Sequence, residues 1–242
     1  MKNNRRQSIK LLLLGLFGIY SSKMNSHTST FVHKEKNNSS DPDKQPIKKM
    51  KIAYILFDGI TLLDFVGIYD PISRMKSKGF LEDLDWDLCA TTSSIQDGFG
   101  LKINIDKIKP NLSDYDMVII PGGFGTRKLQ FEKDFVDWIK TASNVEYKVS
   151  ICTGSLLLGA AGFLKGKTAT TNFNEYQTLE KYCNVVSKER IVEDNNIITA
   201  GAVASSLDLG LYICEKLVGK ENTEVIRKSM DYHPSQFEII NK

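Results

Sequence analysis

Few side chains in this chain are suited to covalent chemistry, and Cys152 has the most suggestive setting. In Val149-Ser150-Ile151-Cys152-Thr153-Gly154-Ser155 an apolar, β-branched run ends at a cysteine, and small residues then open the apolar run Leu156 to Ala161. That pattern predicts a strand-turn-helix elbow, which presents the turn residue at the C-terminal edge of a parallel sheet. The first helical N–H groups face such a residue, and their partial positive charge favours thiolate over thiol. Two readings of Cys152 are therefore open from this stretch: a nucleophile, or a cysteine buried in the core.

A nucleophilic cysteine needs a proton acceptor and donors for developing negative charge. The histidines are His27, His33 and His233; the first two lie in a polar leader and the third near the C-terminus, so a Cys-His dyad is not expected. A carboxylate becomes the candidate. Asp64, in Leu62-Leu63-Asp64-Phe65-Val66-Gly67, is an acid in an apolar stretch, where an unpaired charge is costly. It is either a cap or loop-fixing group or a buried acid with a raised pKa. Asp58 and Asp70 are expected to face solvent or cap.

Donors are expected from the backbone N–H groups of Thr153 and of Gly123, in Pro121-Gly122-Gly123-Phe124-Gly125, if the two loops adjoin. This glycine cluster lacks the Gly-Lys-Ser/Thr of a phosphate loop and the spacing of a dinucleotide fingerprint; a plain tight turn is the alternative reading. Cys89, Cys183 and Cys214 match no zinc spacing. They are expected as free thiols or, in an exported protein, as partners in a disulfide.

The elements that must position these residues alternate. Met50 to Phe57 predicts a buried strand ending at Asp58-Gly59, and residues 61 to 78 a loop then a helix, interrupted by Gly67 and Pro71. Strands are expected over Leu84 to Thr92, Phe99 to Ile105 near an edge, Tyr115 to Ile120, Tyr147 to Ile151 and Gly166 to Thr171. Val185 to Val192 and Asn196 to Thr199 predict a hairpin across Glu193-Asp194-Asn195. Helices are expected over Phe131 to Ala142, the elbow run, Asn174 to Tyr182, Ala202 to Val218 and Glu221 to Tyr232. Together they predict one α/β domain, a doubly wound, mostly parallel sheet with helices on both faces.

The 242 residues carry a formal net charge of +3, unevenly spread. Residues 1–50 hold ten Lys/Arg against three Asp/Glu, and the rest 22 against 26, so the folded part is mildly acidic and nucleic acid is not an expected partner. Lys2, Arg5, Arg6 and Lys10 precede the apolar run Leu11 to Tyr20, the order of a signal peptide, with Arg5-Arg6 resembling a twin-arginine signal. Residues 1–21 are thus expected as an export signal, 22–49 as a disordered polar linker, 50–235 as the domain and 236–242 as a tail. The expected location is periplasmic, or tethered to a membrane outside the cytoplasm through the N-terminal segment alone.

The run Ser150 to Thr171, with Phe57-Asp58-Gly59, Leu63-Asp64, Gly67, Pro121-Gly122-Gly123, Thr199-Ala200-Gly201 and Ser206-Leu207-Asp208, resembles the ThiJ/PfpI superfamily, and within it the isonitrile hydratase group. The resemblance covers roughly residues 50 to 235. It implies a flavodoxin-like sandwich, usually a homodimer, with Cys152 as nucleophile, Asp64 as the acid beside it and Thr153 at the turn. It also implies a small-molecule substrate, an isonitrile hydrated to an N-substituted formamide, with no metal or organic cofactor. A glyoxalase or deglycase activity on reactive carbonyls, or a ligand-binding or redox-sensing role for Cys152, are the alternatives. Two positions depart from the family pattern: Asn172 stands where a histidine is frequent, and Ile68 where proline is usual.

Overall fold

A computed structural model describes residues 49–233 and 239–241. The expected export signal over 1–21, most of the expected linker over 22–49, and His27 and His33 lie outside the described residues. Among those described, no helix is long and apolar enough to cross a membrane.

The chain runs β1 (Met50–Ile55), α1 (Leu62–Ser77), β2 (Leu84–Ala90), β3 (Ser94–Gln96), β4 (Lys102–Asn104), β5 (Lys107–Ile108), β6 (Met117–Ile120), α2 (Thr126–Leu129), α3 (Lys133–Lys140) and β7 (Tyr147–Ile151). It continues through α4 (Gly154–Ala160), β8 (Thr168–Ala169), α5 (Tyr176–Leu179), β9 (Val185–Val186), β10 (Ile191–Asp194), β11 (Ile197–Ala200), α6 (Ser205–Ser229) and β12 (Ile239–Asn241). Single turns of 3₁₀ helix at Leu112–Asp114 and Phe173–Glu175 precede β6 and α5. The main sheet has the order β12-β10-β11-β7-β6-β1-β2-β5. All its pairings are parallel except β10 with β11. This is the expected flavodoxin-like, mostly parallel α/β architecture. β6 is buried along its whole length, as a strand covered by helices on both faces must be, which is why Met-Val-Ile-Ile shows no polar alternation.

From β1 the chain passes through α1 to β2 on one side, and β6 then returns to the other side of β1. The order of winding reverses there, and ligands of open α/β sheets bind at the strand C-termini beside such a reversal. The segments leaving β1, β6 and β7 carry Asp64, Gly122-Gly123 and Cys152.

Several elements differ from the sequence expectation. Residues 62–77 form one uninterrupted helix in which Gly67 and Pro71 serve packing. A side chain on Gly67 would meet Ser206 Oγ at 2.1 Å, and one on Gly210 of α6 would meet Pro71 Cγ at 2.4 Å. The two helices thus approach through glycines, and Ile68, fully buried, fills the same interface. The expected edge strand over 99–105 shortens to β4, which pairs with β3 apart from the main sheet. The 166–171 strand shortens to β8, paired with β9, so the hairpin's first arm begins at Ile191 instead of Val185. Both short pairs lie outside the main sheet, beyond reach of a period-two pattern. The helices expected at 202–218 and 221–232 run as α6, broken between them by Gly219 at φ 78°. Residues 239–241, expected within a tail, form β12 beside β10.

Candidate active site

Cys152 directly follows β7 with a left-handed backbone, φ 54°. This conformation costs an L-residue about 1 kcal/mol or more and is held only where the surroundings over-determine it. Here they do. The Cys152 N–H donates to Ala200 O at 3.0 Å. Its carbonyl accepts from Thr171 Oγ1 at 2.9 Å and from Ser155 Oγ at 3.2 Å. The expected elbow is therefore present, with Cys152 5% exposed at the sheet edge.

Asp64 lies in the first turn of α1, fully buried. Its carboxyl caps nothing on its own helix; Oδ2 reaches across to accept the Gly122 N–H at 3.0 Å, and Oδ1 is buried without a well-formed hydrogen bond. The Cys152 side chain lies on the other side of Gly122, each group 2.8 Å from where a side chain on that glycine would stand. Burial raises the Asp64 pKa to about 7, against smaller lowering contributions from the Gly122 N–H and the Cys152 side chain. Burial also pushes the Cys152 thiol up to about 12, and the Asp64 charge adds to the rise. The Thr153 N–H and Asn172 act in the opposite sense, since donors favour the anion. With Asp64 titrating near 7 and the thiol well above it, the pair is left with a single proton once the pH passes neutrality.

The loops are joined by Thr153. Its Oγ1 accepts the Gly123 N–H at 3.0 Å and contacts Thr126 Oγ1 at 2.9 Å, all buried. This corrects one expectation: the Gly123 N–H is directed at a hydroxyl and not at a site for developing charge, because the elbow turns Thr153 toward the glycine loop. The Thr153 hydroxyl ties the loops together, and its N–H faces the sulfur.

The glycine that sets the geometry is Gly122. A side chain there would meet Thr153 N at 2.6 Å, Asp64 Oδ2 at 2.8 Å and Cys152 Cβ at 2.8 Å. The double glycine signals a close approach, but which of the two sits between the acid and the thiol follows from the register of β6 against β7. Asn172 entered the sequence reading only as a departure from the family pattern, at a position where histidine is frequent. Its Nδ2 donates to Cys152 Sγ at 3.5 Å.

The remaining candidates lie apart. Asp58 Oδ1 accepts the Gln96 N–H at 2.8 Å and holds its turn, and Asp70 pairs with Arg74 at 2.8 Å within α1. His233 is exposed beside Asp231. Cys89, Cys183 and Cys214 are free thiols. Among the described residues no group of three or more His, Cys, Asp or Glu is arranged to hold a metal. Next in sequence to the site residues, Phe124 and Phe173 are 73% and 64% exposed. They follow Gly123 and Asn172 directly, and the Arg127–Glu175 ion pair at 2.8 Å links their segments, with Arg127 over the Phe124 ring.

A doubly wound sheet with a strained cysteine elbow, and a buried carboxyl across a glycine from it, defines a class of α/β protein built around a cysteine at the sheet edge. Within that class, the chain belongs to the DJ-1/PfpI family, whose sequence model matches residues 50–216. It is 31% identical over 188 residues to isonitrile hydratase of Pseudomonas putida, covering 77% of this chain and 80% of the relative. It superposes on a ThiJ/PfpI family protein from Pseudomonas syringae with TM-score 0.71 and 26% identity, covering 84% of each chain. Drosophila melanogaster DJ-1beta shares the fold, with TM-score 0.67 and 19% identity over 77% of this chain and all of that one.

Proposed function

We propose that the protein hydrates a small, uncharged, apolar-substituted isonitrile to the N-substituted formamide, using Cys152 and Asp64 without a cofactor. The observation that carries this reading is the shared burial of the Asp64 carboxyl and the Cys152 thiol on either side of Gly122. The relative named isonitrile hydratase supports it.

In the one-proton state above pH 7, Asp64 is the carboxylate and Cys152 the thiol. As substrate enters, the proton passes from Sγ to the carboxylate, and the sulfur attacks the terminal isonitrile carbon. The Asp64 proton moves to that carbon, leaving a thioimidate, Cys152 S–CH=N–R, and a carboxylate. Asp64 next takes a proton from water while the hydroxyl adds to the same carbon, and the nitrogen receives the proton. The C–S bond then breaks, the hydroxyl proton returns through Asp64 to the sulfur, and R–NH–CHO leaves. One water is consumed and the protein is regenerated. The exposed rings of Phe124 and Phe173, directly after Gly123 and Asn172, suit an apolar substituent R.

Cyclohexyl isocyanide offered to the purified protein, with product followed by mass, tests the reading. Formamide production that disappears in Cys152→Ser and Asp64→Asn is expected. Absence of turnover by a folded protein with reduced Cys152 would overturn it, and methylglyoxal offered in parallel reports the carbonyl alternative. We further propose export directed by residues 1–21 and a homodimer, read by cell fractionation and by sedimentation.

A further inference from the structure

A neutral amide touches the sulfur, and its orientation is determined by its other end. Asn172 Oδ1 accepts the Asn174 N–H at 3.0 Å, capping the 3₁₀ turn Phe173–Glu175. An amide whose oxygen is engaged in this way must present its NH₂ to whatever lies on the opposite side. What lies there is Cys152 Sγ, at 3.5 Å. The segment is anchored on both sides: Thr171 Oγ1 donates to Cys152 O at 2.9 Å, and Glu175 pairs with Arg127 at 2.8 Å. Asn172 is thus held as a donor to sulfur and cannot accept a proton from it.

From this geometry we infer that Asn172, with the Thr153 N–H, forms a two-donor cradle that stabilises the Cys152 thiolate. An asparagine donor stays in one protonation state at all working pH values. It lowers the energy of the anion formed when Asp64 takes the thiol proton, while leaving Asp64 to determine when that happens. Of the charged groups near the pair, Asp64 itself comes from α1. The glycine loop and the elbow contribute none, and Glu175 beyond Asn172 is neutralised by Arg127. The inference builds on Cys152 as the reactive residue of the proposed function, but its readout needs no substrate.

The test is the alkylation rate of Cys152 by iodoacetamide at pH 8, followed on the Cys152 peptide by mass, with thermal unfolding measured alongside. Asn172→Ser keeps an acceptor for the Asn174 N–H but loses the reach to sulfur. Alkylation about tenfold slower than wild type, with an unchanged unfolding temperature, is expected. Asn172→Asp keeps the cap and replaces the donor by a negative charge, so a larger drop is expected. Alkylation of Asn172→Ser within twofold of wild type would overturn the inference. Should that variant not fold, wild-type reactivity in Asn172→Asp overturns it equally. A failure of isonitrile turnover leaves this measurement intact, so the two proposals fail separately.

Discussion

The Asp64 carboxyl and the Cys152 thiol face each other across a glycine: a side chain on Gly122 would stand 2.8 Å from Asp64 Oδ2 and 2.8 Å from Cys152 Cβ. Gly122→Ala therefore forces apart the acid and the thiol, besides pressing on Thr153 N at 2.6 Å. We expect a loss of about 1–3 kcal/mol in stability from overpacking, read by urea denaturation. Isonitrile turnover should fall by at least tenfold, since small misplacements of reacting groups are costly.

The raised Asp64 pKa determines how stability depends on pH. A carboxyl that is held protonated more tightly in the folded chain stabilises it fully below the unfolded value near 3.8, and that contribution is lost as pH rises to about 7. Asp64→Asn removes this dependence. The variant should match or exceed wild-type stability above pH 7, by up to about 4 kcal/mol, and show a flatter profile between pH 4 and 7. In turnover, wild-type kcat/KM should climb through pH 7 as Asp64 ionises, while Asp64→Asn should be slower by about 10²–10⁴-fold. A wild-type stability profile flat over pH 4–7 would contradict the buried acid.

Backbone strain at Cys152 predicts an opposition between stability and activity. Glycine adopts φ 54° without steric cost, whereas alanine retains the penalty. Cys152→Gly should be more stable than Cys152→Ala by about 1 kcal/mol, measured by thermal unfolding, and both should be inactive. Equal stability of the two would mean that the elbow holds no strain.

Thr153→Val tests the tie between the loops. It keeps the shape, removes the acceptor for the Gly123 N–H and leaves that buried donor without its partner, while Thr126 Oγ1 keeps its bond to Gly123 O at 2.8 Å. A cost of about 1–3 kcal/mol is expected. Hydrogen exchange at Gly123 should quicken relative to amides of β6.

Much of this arrangement was legible in the chain. The run ending at Cys152, the buried strand before Pro121 and the isolated acid at Asp64 each carry a local signature, because a parallel strand, a tight elbow and an acid among apolar residues are constraints on neighbouring residues. The glycine pair marked a close approach. Gly67 and Pro71 misled for a related reason: they resemble breakers in sequence, yet they make room for α6 across the helix interface.

By itself the sequence determined the alternation of strands and helices, the elbow, and an acid set among apolar residues, all properties of short segments whose physics is local. The tertiary structure decided which atoms meet. Placing β6 between β1 and β7 put Gly122 between acid and thiol, turned the Gly123 N–H onto Thr153, and brought Asn172 to the sulfur from a loop 20 residues away. The proposed proton transfer and thiolate stabilisation depend on burial and on distances of a few ångströms between segments far apart in the chain, and those exist only once the sheet has assembled.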